Sequence, residues 1–74
     1  MSIFKVFARD GSITLVIRAR CISCARQLAA ERSPAAEFAL WVNKELSGVE
    51  WMPSPEAAGY LSDGKTGIIE RVHA

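Results

Sequence analysis

Two cysteines three residues apart, Cys21-Ile22-Ser23-Cys24, form the one spacing in this chain that carries redox or metal chemistry. A redox pair needs a thiolate held at a helix N-terminus, and Arg20 and Arg26 flank the pair with charge that favours thiolate. The thioredoxin-like setting also needs a βαβ unit on a parallel sheet, which a chain opening on a hairpin does not offer. A closed zinc site needs four ligands; the cysteines and His73, the single histidine, supply three, so a second chain would have to complete it. A structural disulfide inside one helical turn is geometrically awkward. The reading that asks least is two small apolar residues on a helix face, a position free cysteine favours. The expectation is no metal and no cofactor, with a Cys-x-x-Cys redox protein as the third-ranked alternative.

Gly59-Tyr60-Leu61-Ser62-Asp63-Gly64-Lys65-Thr66 matches the spacing of a phosphate loop, G-x-x-x-x-G-K-T. Phosphate cradling needs a strand before such a loop and a long helix after it, whose N-terminal amides face the anion. Here Gly67 and a β-branched run follow, eight residues remain after Thr66, and Tyr60-Leu61 replaces small, flexible positions. The match is read as chance. Acid–base and nucleophilic catalysis are poorly supplied too, since His73 stands next to the last residue, where chains fray. The chain reads as a non-enzyme.

The cations offer a binding surface instead. Lys5, Phe7, Arg9 and Arg18 fall on one face of the expected hairpin, with Arg20 at its end and Arg26 on the helix that follows. Charge interleaved with an aromatic ring suits phosphate contact and base stacking. It suits an acidic protein surface equally well, through arginine and aromatic anchors. Residues 1–36 hold six cations and two anions, residues 37–74 three cations and six anions, so the chain is dipolar at a net charge of only +1. A sequence pI of about 7.8 argues against nucleic acid as the main partner, because such binders are strongly basic.

The elements that must hold these residues are legible in part. Asp10-Gly11 reads as a two-residue hairpin turn with both central residues at positive φ, pairing Arg9 with Ser12, Ala8 with Ile13, Val6 with Leu15 and Phe4 with Ile17. One face is then wholly apolar (Phe4, Val6, Ala8, Ile13, Leu15, Ile17), and the other mixes Ile3, Lys5, Phe7 and Arg9 with Ser12, Thr14, Val16 and Arg18. A one-residue slip would destroy both patterns. Phe7 and Val16 on the mixed face imply cover there, or a contact surface. Residues 22–32 are rich in helix formers and stop before Ser33-Pro34. Cys24, Ala25 and Ala29 let that helix sit close to the apolar face, with Arg26, Gln27 and Ala30 turned elsewhere.

Beyond Ser33 two readings compete. Ser33-Pro34-x-x-Glu37 is a helix start and Gly48 a helix stop, giving a second helix at about 34–47. The aromatic and branched run Phe38–Val42 also suits a buried strand, followed by another at 48–52, and a lone hairpin needs further strands. That need favours strands. Pro53-Ser54-Pro55 makes a corner with a helical turn at 56–58, and 67–72 reads as a closing strand with Ile69 and Arg71 facing away from Ile68, Glu70 and Val72. Trp41 and Trp51 are both read as core, with a homodimer interface as the other use for them.

These elements make a single α+β domain over 1–74: an antiparallel sheet begun by a hairpin at about 3–9 and 12–20, a helix at about 22–32 on one face, and further short strands. Half the residues are apolar and 23% charged, a globular mix, and no apolar run approaches the roughly 18–20 residues of a membrane span. No signal-peptide layout opens the sequence, so the expected location is the cytoplasm. With no catalytic set, function is expected to rest on surfaces. The leading expectation is a small non-enzymatic protein-binding module, an inhibitor docking on a larger protein or ribonucleoprotein complex that handles nucleic acid. Phages and mobile elements encode inhibitors of this size, anti-CRISPR proteins among them, although no motif here carries that comparison. The alternative is a nucleic-acid-binding accessory protein using the arginine face; a homodimer remains open.

Overall fold

In the computed structural model, which describes all 74 residues, the hairpin forms in the register its alternation predicts. Strands β1 (Ser2–Ala8) and β2 (Ile13–Ala19) pair antiparallel, with Phe4 opposite Ile17 and Val6 opposite Leu15. The turn itself differs. The Gly11 amide donates to the Ala8 carbonyl at 3.0 Å, so the tight turn spans Ala8–Gly11, one residue earlier than expected. Only Gly11 takes positive φ (+83°); Asp10 does not, and its carboxylate accepts the Ser12 amide at 2.9 Å. The Ser12 hydroxyl and then its amide favour the ionised form and hold the Asp10 carboxyl below its ordinary range. A turn ending in one left-handed glycine suits the strand twist without forcing a side chain into that region.

Helix α1 (Ile22–Arg32) lies on the apolar face. Ala25, Ala29 and Ala30 are buried against Phe4, Val6, Leu15, Ile17 and Ala19. Three alanines let the helix backbone approach the sheet closely. Ala30 therefore faces inward, contrary to the expected stripe. Ser33 ends the helix in an extended conformation before Pro34, as the proline restriction requires.

The segment after Pro34 is helical and then extended, so the preference for strands across 38–42 is corrected. A 3₁₀ turn at Ala35–Glu37 leads into the short helix α2 (Phe38–Val42), and β3 (Ser47–Trp51) begins only after a turn. The helical spacing is what buries Trp41 completely while Leu40 is half-buried beside the core and Phe38, Ala39 and Val42 stay exposed. Its indole N–H donates to Glu37 Oε1 at 3.1 Å, and Glu37 in turn pairs with Arg71. Trp51, by contrast, is exposed; only one tryptophan belongs to the core.

Strand β3 pairs with β1 and strand β4 (Gly67–His73) with β2, giving an antiparallel sheet in the order β3-β1-β2-β4. The β2–β4 register shifts between Val16, opposite Glu70, and Ile17, opposite Ile68, so Ile69 is a bulge. The bulge breaks simple alternation. Ile68 and Arg71 share the helix side, whereas Glu70 faces with Val16, correcting the expected grouping of Ile68 with Glu70 and Val72.

Because β3 and β4 are opposite edges, residues 52–66 must cross the sheet, and α1 already occupies one face. They cross the other, through a 3₁₀ turn at Pro55–Ala58 in which Pro55 is buried. This cover accounts for the burial of Ile3 and Val16 on the mixed face. Arg18 fastens it, donating from Nε and Nη2 to the Leu61 carbonyl (3.1 and 2.7 Å) and from Nη1 to the Lys65 carbonyl (3.2 Å). Tyr60 adds a hydroxyl bond to Glu70, and the loss of that bond on ionisation pushes the phenol up. No helix is long and apolar enough to cross a membrane.

Candidate functional site

The six residues singled out as a binding face do not converge. Lys5, Phe7 and Arg9 line a shallow depression of about 280 Å³ on the mixed face, together with Thr14 and Glu50. Glu50 stands directly opposite Lys5 across the β1–β3 pair, so a carboxylate sits among the cations. Arg18 lies at the other end of that face, its guanidinium engaged by the crossing segment. Arg20 is beside α1, near Cys24 and Thr66.

Arg26 is built into the fold. Its Nη1 donates to the Trp41 carbonyl at 2.8 Å and to Ser47 Oγ at 2.7 Å, and its Nη2 to the Ser47 carbonyl at 3.3 Å. Ser47 is fully buried, and its hydroxyl also lies 2.7 Å from the Leu40 carbonyl and 3.1 Å from that of Asn43. One guanidinium thus ties α1 to the end of α2 and the start of β3, satisfying acceptors that would otherwise be stranded. Arg71 plays a matching part from β4, pairing with Glu37, donating to Ser33 Oγ at 3.2 Å and to His73 Nε2 at 3.0 Å. Arg71 beside it holds the Glu37 carboxyl below its ordinary range.

The largest concavity lies elsewhere, on the side where α1, α2 and β3 meet. It is a cleft of about 720 Å³ whose apolar wall includes Ile22, Phe38, Val42 and Val49, with Arg9 and Lys44 among its charged members and Glu31 the one anion. Ile22, Phe38 and Val42 keep 56%, 55% and 47% of their surface exposed, in a chain whose own core leaves them uncovered. Phe38 and Val42 are four apart on α2 and so share a face, with Trp41 turned inward. Arg9 Nε donates to the Lys44 carbonyl at 3.2 Å, which fixes the hairpin tip against the α2–β3 turn and places two cations at the cleft.

Sequence reasoning assigned Arg9 and Arg26 to a binding face but missed Ile22, Phe38, Val42, Lys44 and Val49. Read as a helix, residues 38–42 put Phe38, Trp41 and Val42 on a single face, so nothing in the sequence separates the tryptophan from the pair; the structure alone buries Trp41 and leaves Phe38 and Val42 uncovered.

The phosphate-loop match has no helix after it. Thr66 is followed directly by β4, and Gly64 (φ +140°) packs against the Arg18 guanidinium. The cysteines and His73 are at opposite ends of β2, since His73 pairs beside Ile13 and Cys21 follows Ala19. No three histidine, cysteine, aspartate or glutamate side chains gather as metal ligands.

Cys21 is the N-cap of α1. Its Sγ accepts the Cys24 amide at 3.1 Å. The Cys24 thiol and amide, with the Ser23 amide, hold the exposed Cys21 thiol below its ordinary range, while Cys21 beside it and partial burial push Cys24 up.

Comparison with protein families, with curated proteins and with solved structures finds no match to this chain.

Proposed function

We propose that this protein is a small non-enzymatic binding module that acts in the cytoplasm by docking on a larger complex that handles nucleic acid, and inhibits it by occupying a site. The observation that carries this reading is the cleft between α1, α2 and β3. Its exposed Ile22, Phe38 and Val42, beside Arg9 and Lys44, offer an apolar anchor site next to positive charge. Interfaces draw most of their energy from a few such buried anchors, and the surrounding charge sets partner and orientation. The complementary occupant is an apolar protein segment flanked by carboxylates. A nucleic-acid strand would instead call on Lys5, Arg18, Arg20 and Arg26 together. Those cations lie on different sides of the molecule, and two of them bind backbone carbonyls.

The test is crosslinking capture from the source cells with the full chain and with Val42→Asp, a change at a half-exposed position. A protein retained by the wild type, lost with Val42→Asp and indifferent to nuclease supports the reading. Capture that survives Val42→Asp, or that collapses with nuclease or falls log-linearly with salt as counterion release requires, overturns it.

A further inference from the structure

We propose that Cys21 and Cys24 form a redox-active dithiol that exchanges with low-molecular-weight disulfides, Cys21 attacking and Cys24 resolving. The site adjoins the cleft, since Ile22 lies between the two cysteines and Gln27 and Glu31 line both hollows.

Its geometry differs from a cysteine pair buried inside a helix. Cys21 is just outside α1, with extended backbone (φ −154°, ψ 169°), so its sulfur turns back over the first turn and meets the Cys24 amide at 3.1 Å. The Cys21 carbonyl still accepts the first helical bond, from Ala25 at 3.0 Å. One helical turn therefore separates the two Cα atoms, roughly 5 Å, which lies in the range a disulfide spans. The awkwardness of an intrahelical bridge is relieved because one partner is a cap.

The two sulfurs are also unequal in the way exchange needs. Cys21 is exposed, and Cys24 is half-buried behind it against the core. The neighbouring Cys24 thiol first, and then the Cys24 and Ser23 amides, stabilise thiolate at Cys21. Cys24 is held protonated partly by that same thiolate, so the restraint lifts once Cys21 becomes part of a disulfide. A hollow of about 230 Å³ adjoins Cys24, lined also by Arg20, Gln27, Leu28, Glu31 and Thr66. Arg20 forms no ion pair within the chain and shares that hollow with Glu31.

With glutathione disulfide as oxidant the chemistry balances. The Cys21 thiolate attacks one sulfur, forming a Cys21–glutathione disulfide and releasing one glutathione thiolate. Cys24 then loses its proton to solvent and attacks Cys21 Sγ, closing the Cys21–Cys24 disulfide and releasing the second glutathione. The protein dithiol gives up two electrons and one glutathione disulfide is reduced to two thiols.

The experiment treats the reduced full chain with glutathione disulfide at neutral pH and follows products by intact-mass spectrometry after acid quench. The wild type is expected to end as the internal disulfide with no lasting adduct. Cys24→Ser is expected to stall as the glutathione adduct at position 21. Cys21→Ser, which keeps a good helix cap, is expected to react on the order of tenfold more slowly. A wild type that accumulates glutathione adducts without closing the internal bond overturns the proposal, and this outcome does not depend on either variant folding. Equal rates for the two variants overturn it as well.

Discussion

Replacing Arg26 by methionine separates a structural tie from a ligand contact. The methionine keeps much of the apolar stem and removes the guanidinium, so the loss is confined to three hydrogen bonds, to Trp41 O (2.8 Å), Ser47 Oγ (2.7 Å) and Ser47 O (3.3 Å). Bonds from a charged donor contribute about 1.5–3 kcal/mol net. Partial exposure puts the two short ones at the lower end, and the long one adds little, for a total of about 3 kcal/mol. A chain of 74 residues has a total stability of about 4–11 kcal/mol, so the variant is severely weakened. With a urea dependence of about 1 kcal/mol per molar for a small domain, the midpoint falls by about 3 M at unchanged slope. Arg26→Lys, with one ammonium in place of the fork, recovers about half. The assay is urea unfolding followed by tryptophan fluorescence, since buried Trp41 reports the same junction. A loss below about 0.5 kcal/mol, the range of ordinary surface substitutions, would show that the guanidinium is not holding α1, α2 and β3 together.

Glu37 gives the molecule an acid-sensitive joint. Its carboxyl is held below the ordinary 4.5 by Arg71, so the unfolded chain takes up the proton first. The stabilisation is complete above that ordinary value and is lost as pH falls through the lowered folded value. Urea midpoints measured downward from neutral pH should drop more steeply for the wild type than for Glu37→Gln, and parallel curves would refute the assignment. At Gly48 an added Cβ would stand 2.6 Å from Phe7 Cζ, across the β1–β3 pair. Gly48→Ala is therefore expected to cost about 1–3 kcal/mol by overpacking, and less in a Phe7→Ala background. Equal cost in both backgrounds, by the same urea assay, would remove the ring from the explanation.

Sequence alone determined what depends on neighbours a few residues away. The hairpin register followed from alternation on both sides of Asp10-Gly11, α1 from its helix formers and the Ser33-Pro34 stop, and β4 from its branched run. These signals agree locally, so no distant contact was needed to read them. Residues 38–42 were ambiguous because an aromatic, branched run suits a strand or a helix, and the contacts of Trp41 with the core and with Glu37 decided it.

The tertiary structure alone decided which cations are available to a partner. Arg18 and Arg26 find acceptors tens of residues or a whole element away, in carbonyls that any sequence would supply and none would advertise. The bulge at Ile69, the cover over Ile3 and Val16, and the uncovered Phe38 and Val42 likewise arise from how edges and faces meet. Side-chain type fixes which groups seek burial or a partner; three-dimensional closure fixes which of them find one, and those left without are the surface on which a partner acts.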